Sequence, residues 1–121
     1  MTEYYVRELL KGVTEPLLLF IISEVPTHGY EIAKELERRS QGYFKLTAST
    51  IYSALHRLEH RGLVLSWWQQ VARKQKRRCY RLTEKGHQIL SEDLAQWRSF
   101  LGATDRVIQG QEQFVQWKFK S

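Results

Sequence analysis

Apolar positions along the chain recur at helical spacing in its first half, shift to a strand-like run, and return to helical spacing near the end. Glu15-Pro16-Leu17-Leu18-Leu19-Phe20-Ile21-Ile22 is apolar on nearly every side, with proline where a first helical turn tolerates it. Such a helix belongs at the centre of a fold and can also touch a second subunit. Val25-Pro26-Thr27-His28-Gly29 breaks it, and residues 30–39 form the next helix, with Ile32, Ala33 and Leu36 inward and Glu31, Lys34, Glu35 and Arg38 in water. Gly42 ends this supporting helix. Thr47 then serves as N-cap to a helix whose Ile51, Leu55 and Leu58 share one face, while Ser49, Thr50, Ser53, Arg57 and His60 lie opposite, and Gly62 closes it.

Residues 63–71 have the β-branched and aromatic content of a strand, and residues 77–82 can return beside them. Between them, the tip Arg73-Lys74-Gln75-Lys76-Arg77-Arg78 lacks glycine and proline, so its turn geometry is open. Two strands alone are marginal in water, so the hairpin must pack on the helices. From Thr83, a second candidate N-cap, the chain is helical. Its stripe of Leu90, Leu94, Trp97, Leu101 and Ile108 is too long for so small a chain to cover, and the same helix of a second copy is the economical partner. Gly102 and Gly110 mark where that helix can bend or end. The first residues, with Tyr4, Tyr5, Leu9 and Leu10 as contacts, form an arm or a short helix. The expected architecture is α+β: residues 1–14 as that segment, residues 15–83 as a winged helix-turn-helix of three helices and a two-stranded wing, and residues 84–121 as a long dimerisation helix and tail.

Charge sharpens this picture. The 121 residues carry 19 basic and 13 acidic side chains, a net +6. Residues 57–85 hold nine Lys or Arg against Glu59 and Glu84 alone, so the cationic field is local and favours a polyanion. Cys79, the single cysteine, forms no intrachain disulfide and is read as a packed strand residue in a reducing cytoplasm. The apolar run at residues 17–22 is far below the roughly 20 residues a membrane span needs, and no signal peptide precedes it, so a soluble cytoplasmic chain is expected. His28, His56, His60 and His87 are scattered; His56 and His60 share a helix face without an acidic or sulfur ligand beside them, so neither metal nor another cofactor is expected. No phosphate loop, nucleophile elbow or metal-hydrolase motif is present. Glu35, Glu37 and Glu59 read as solvated helix surface, and no enzyme is expected.

A winged helix places its later helix in the major groove with the N-terminal residues at the base edges. Ser49, Thr50 and Ser53 suit that task because short hydroxyls let the backbone approach DNA closely; alternatively, Ser49 and Thr50 only stabilise the first turn. Arg57 and Arg61 are assigned to phosphates. Tyr52 has two readings, a ring completing the core or a hydroxyl reaching a phosphate. In the wing, Arg73 or Arg77 suits a narrow minor groove while Lys74, Lys76 and Arg78 hold the backbone; a merely solvated charge run is the alternative. Trp67 and Trp68 point to opposite faces of their strand. Trp97 belongs to the dimer seam, though a planar ligand could stack on it. Two rivals therefore stand beside a DNA-binding regulator: a module whose basic wing binds an acidic protein surface, and a repressor controlled by a small molecule of unknown identity in the dimer cavity.

His28-Gly29-Tyr30-Glu31-Ile32, Leu46-Thr47, Thr50-Ile51-Tyr52-Ser53-Ala54-Leu55-His56-Arg57-Leu58-Glu59, Gly62-Leu63-Val64 and Tyr80-Arg81-Leu82-Thr83-Glu84-Lys85-Gly86 together resemble the PadR-like family of bacterial transcription regulators. The resemblance covers residues 15 to about 97. It departs at Ser53, where many relatives carry proline, and in the short C-terminal segment, which puts a conventional ligand-sensing role in doubt. The resemblance implies a homodimer on a partly palindromic double-stranded operator, usually repressing, with the last helix joining the first to build the dimer. It assigns DNA contact to Ser49, Thr50, Tyr52, Ser53 and the wing residues 73–78, and the dimer seam to Leu17, Phe20, Ile21, Leu90, Leu94, Trp97 and Leu101. A narrower similarity, to a member linked to the circadian clock, implies repression of a core clock gene.

Overall fold

The computed structural model describes residues 8–10 and 12–109. Its elements are helix α1 (Thr14–Glu24), strand β1 (Thr27–His28), α2 (Gly29–Arg39), α3 (Ala48–His60), β2 (Val64–Ala72), β3 (Gln75–Leu82) and α4 (Glu84–Gln109). The architecture is the winged helix-turn-helix with a long last helix. Residues up to Leu90 form one compact unit and those from Ser91 a second. No described helix is long and apolar enough to cross a membrane.

The core of the first unit follows from the helical stripes. Leu18, Leu19, Ile21 and Ile22 of α1 meet Ile32 and Leu36 of α2 and Ile51, Ala54, Leu55 and Leu58 of α3, all buried. Each large side chain so covered contributes about 1.5–3 kcal/mol. Residues 8–10 are helical, with Leu10 buried and Leu9 exposed. Tyr4 and Tyr5 lie outside the described residues, as do Gly110 and the tail; α4 continues through Gly102.

Caps fix the helix ends. The Thr47 side chain accepts a hydrogen bond from the Thr50 amide at 3.2 Å, starting α3. Its end is a Schellman motif: Gly62 (φ +76°) donates to Glu59 O and Leu63 to Leu58 O, each at 2.9 Å. The stop after α2 differs by one residue from expectation. There Gln41 (φ 54°) takes the left-handed position, and Gly42 (φ 83°) follows it and donates to Glu37 O at 2.8 Å. Thr83 ties two elements together, donating its hydroxyl to Gly62 O at 2.7 Å and accepting from the Gly86 amide at 2.9 Å.

Two features of the sheet depart from the sequence reading. The tip is not residues 73–78 but only Arg73 and Lys74, because β3 begins at Gln75 and pairs with Ala72. Lys74 makes this tight turn at φ 61°, where glycine or asparagine is usual, so composition gave no signal for it. The break after α1 also contains β1, whose Thr27 and His28 pair with Tyr80 and Cys79, giving a three-stranded sheet ordered β1-β3-β2.

Candidate nucleic-acid interface

The exposed face of α3 carries Ser49, Thr50, Ser53, His56, Arg57 and His60, because every inward position is taken by Ile51, Ala54, Leu55 and Leu58. The Thr47 hydroxyl donates to the Thr50 hydroxyl at 3.0 Å, so Thr50 supports the first turn while remaining exposed. At 100° per residue, Tyr52 and Glu59 fall on one edge of α3, and Arg57 and Arg61 on the other. Those two edges meet different neighbours.

On the first edge, Tyr52 is neither core nor free. Its ring lies over Gly29, where an added Cβ would come within 2.8 Å, and it stays 45 % exposed. Together with Trp68, Tyr80, Lys76, Arg77 and Arg78 it lines an open notch of about 450 Å³ between α3 and the wing. Three aromatic rings and three cations on one wall suit a polyanion.

On the second edge, Glu15 of α1 sits 3.5 Å from Arg61 Nη1 and 3.9 Å from Arg57 Nε. Glu15 Oε1 is buried without a hydrogen bond among the described residues, so its attraction to Arg57 is Coulombic. Both arginines are half-exposed and already share a carboxylate, a partner that sequence spacing did not reveal.

Residues 18–92 match the transcriptional regulator PadR-like family. The chain belongs to that family. It is 33% identical over 87 residues to the Transcriptional regulator Rv3488 of Mycobacterium tuberculosis, covering 72% of this chain and 78% of that one. An uncharacterised protein of Lysinibacillus sphaericus is 29% identical over 105 residues, with 87% and 96% covered. Among solved structures, a PadR family regulator from Eggerthella lenta superposes with a TM-score of 0.75 at 30% identity, covering 88% of this chain and 90% of that one. A PadR-like regulator from Bacillus cereus gives 0.75 at 28%, with 84% and 97% covered. Membership makes the chain a DNA-binding transcriptional regulator and not an enzyme.

The PadR-like wing distributes its cations unevenly. Arg73, Lys74 and Lys76 are exposed at or beside the tip. Arg77 and Arg78 are set back in β3, half-buried, opposite Gln69 and Trp68. The Arg77 guanidinium lies 5.3 Å from the centre of the Tyr30 ring, and that of Arg78 lies 5.6 Å from Trp68. Arg77 is therefore not at the tip, and of the two arginines expected to suit a minor groove only Arg73 is. Nearby, burial and the Arg77 charge hold His28 below its ordinary pKa, against a weaker opposing pull from Glu31. Burial pushes the Tyr80 hydroxyl and the Cys79 thiol up, which keeps that thiol protonated and unreactive.

Glu59 corrects the reading of it as solvated surface. It accepts a hydrogen bond from Ser66 and pairs with Arg78 at 3.5 Å. The seven-residue spacing from Tyr52 was the available signal, since it places Glu59 on the wing side of α3.

Of the residues assigned to the dimer seam, Phe20 and Leu101 are exposed, Leu17, Leu94 and Trp97 are half-buried, and Ile21 and Leu90 are covered within the chain. The far part of α4 also exposes Phe100, Val107 and Ile108. No group of three His, Cys, Asp or Glu among the described residues is arranged to hold a metal ion.

Proposed function

We propose that this PadR-like protein binds a partly palindromic double-stranded operator as a homodimer and represses by occluding it. One observation carries the reading: the hydroxyl-lined N-terminal face of α3 and the cationic tip at Arg73 and Lys74 are both exposed, within the unit that holds the chain's positive field. In this reading α3 enters the major groove. Ser49 and Ser53 meet base edges, Thr50 and Tyr52 lie toward phosphates, and the free amides of the helix N-terminus attract a phosphate. Arg73 reaches toward the minor groove, while Lys74 and Lys76 hold the backbone and set register without reading sequence. Arg57 and Arg61 contribute to the extent that phosphate competes with Glu15; Arg77 and Arg78 act from within the wing.

The second copy joins through the apolar stripe of α4, with Leu94, Trp97 and Leu101 at the seam; the sequence resemblance adds Leu17 and Phe20 of α1 to the dimer contacts. Ile21 and Leu90, assigned to the same seam by the sequence resemblance, are covered within the chain. Two copies then address half-sites about one helical turn apart, roughly 34–36 Å. A core clock gene as the target rests on the sequence resemblance alone.

Footprinting across promoter fragments tests the proposal. Expected are two protected segments related by symmetry, lost as salt rises, with Lys74→Ala and Lys76→Ala each lowering the salt slope by about one unit. Ser49→Ala should instead change the ranking of sequences. Absence of protection in dilute salt would overturn the proposal and leave the acidic-protein partner. Full affinity that collapses on adding planar aromatic compounds would favour small-molecule control beside Trp97.

A further inference from the structure

The wing leaves the fold at a definite level. Val64, Cys79 and Tyr80 are its last buried residues, and every residue from Trp68 to Lys76 is exposed. Beyond that level no fully buried side chain fixes the hairpin's angle; half-buried Arg77 against the Tyr30 ring of α2 is one tether, and a two-stranded ribbon is not rigid in water by itself. From Arg78 to Lys74 the strand extends about 13 Å at 3.3 Å per residue. A swing of about 15° at its base would move the tip by roughly 3 Å, about one hydrogen-bond length.

We propose that Glu59 is the clasp that fixes the wing against the recognition helix, a positioning residue for DNA binding that touches no DNA itself. The inference rests on the DNA-binding reading above. One carboxylate on α3 reaches both strands: Oε1 accepts from the Ser66 hydroxyl of β2, and Oε2 lies 3.5 Å from Nη2 of Arg78 in β3. Ser66 pairs with Tyr80, and Arg78 with Trp68, so the two contacts sit two rungs apart, either side of the Trp67–Cys79 pair, at the base of the free hairpin. The Glu59 and Arg78 side chains are 34% and 40% exposed, so the pair is partly screened from water and stronger than a fully solvated ion pair. Arg78 is held from a third side by the Trp68 ring. The arginine thereby stiffens the wing, while at its end Arg73 reaches the minor groove and Lys74 and Lys76 meet phosphate.

The clasp makes a prediction opposite in sign to simple electrostatics. Glu59 is a negative charge beside a DNA site, and removing it should tighten binding if charge alone mattered. As a clasp, its loss lets Lys74 and Lys76 leave their phosphates together as Arg73 leaves the minor groove. Glu59→Ala should then weaken operator binding about tenfold at moderate salt and lower the salt slope by about two units, although no cation has been removed. Arg78→Ala should have the same effect, and the double variant should be no worse than either single one. If Arg78 were only a phosphate contact, its loss would lower the slope by about one unit and add to that of Glu59→Ala. Amide hydrogen exchange in the free protein supplies a readout independent of DNA. The clasp requires faster exchange in residues 66–78 of Glu59→Ala, with α1 and α3 unchanged. Tighter DNA binding by that variant, or unaltered exchange in the wing, would overturn the inference. Wild-type protein that ignores DNA would instead sink the functional reading, leaving exchange to decide the clasp.

Discussion

Replacing Gly86 by alanine should destabilise this protein, although glycine within a helix is ordinarily the weaker residue. A Cβ at position 86 would stand 2.0 Å from the Leu63 carbonyl oxygen and 3.0 Å from its carbon. Ordinary carbon–oxygen contact needs about 3.3 Å, so the backbone at the start of α4 must retreat by more than 1 Å. That retreat breaks the bonds of Thr83 to Leu63 O (3.0 Å) and Gly62 O (2.7 Å). Two such bonds are worth about 2 kcal/mol net, and forcing backbone apart adds about 1–3 kcal/mol. The better helix propensity of alanine returns about 1 kcal/mol. The balance is a loss of about 3 kcal/mol, or about 10–15 °C in thermal midpoint for a chain of this size. Gly102 is the control on the same helix, since its Cβ would meet only the mobile end of Arg106 at 3.5 Å. Gly102→Ala should gain up to about 1 kcal/mol. Circular-dichroism melts of both variants at one protein concentration decide the matter. A Gly86→Ala midpoint at or above wild type would refute the close approach.

Three further outcomes are expected. His28 accepts from the Glu31 amide to cap α2, and its folded pKa lies below the unfolded 6.5. The unfolded chain therefore takes up protons first on acidification. Stability is intact above about pH 6.5 and falls as pH drops through the lower folded pKa. His28→Asn keeps a cap acceptor and should flatten that fall, as urea midpoints at pH 7.5 and 5.5 will show if the assignment holds. Glu15→Gln should release Arg57 and Arg61 and raise DNA affinity about two- to fivefold in dilute salt, the gain fading as salt rises. An equal gain at all salt concentrations would count against the pairing. Lys74→Gly relieves a left-handed backbone worth about 1 kcal/mol while removing a cation, so the protein should melt higher yet bind DNA with a slope lower by about one unit.

Local chemistry made α3 readable. Thr47 and Gly62 bracket α3 because a hydroxyl cap and a left-handed glycine act within a few residues of where they stand in sequence. The stripe of Ile51, Leu55 and Leu58 oriented the same helix for the same reason. What escaped were contacts between distant segments. β1 is two residues long, too short to show alternation, and exists only because β3 lies beside it. The wing tip turns on Arg73 and Lys74 without glycine, so its length could not be read from composition. Glu59 resembled a solvated carboxylate until the hairpin was placed against it, and the pairing of Glu15 with Arg57 and Arg61 required α1 to be placed beside α3. Tyr52 does not complete the core, because its ring is seated over Gly29, 23 positions earlier in the chain.

Selection of duplexes from a random pool, followed by sedimentation of the purified protein on the winning sequence, decides the functional account. Enrichment of a two-fold symmetric site carrying two chains per duplex, with affinity falling steeply as salt is raised, is the expected result. No enriched sequence and no association with duplex DNA in dilute salt, or one chain per saturated duplex, would show that paired winged helices on an operator are not how this protein works.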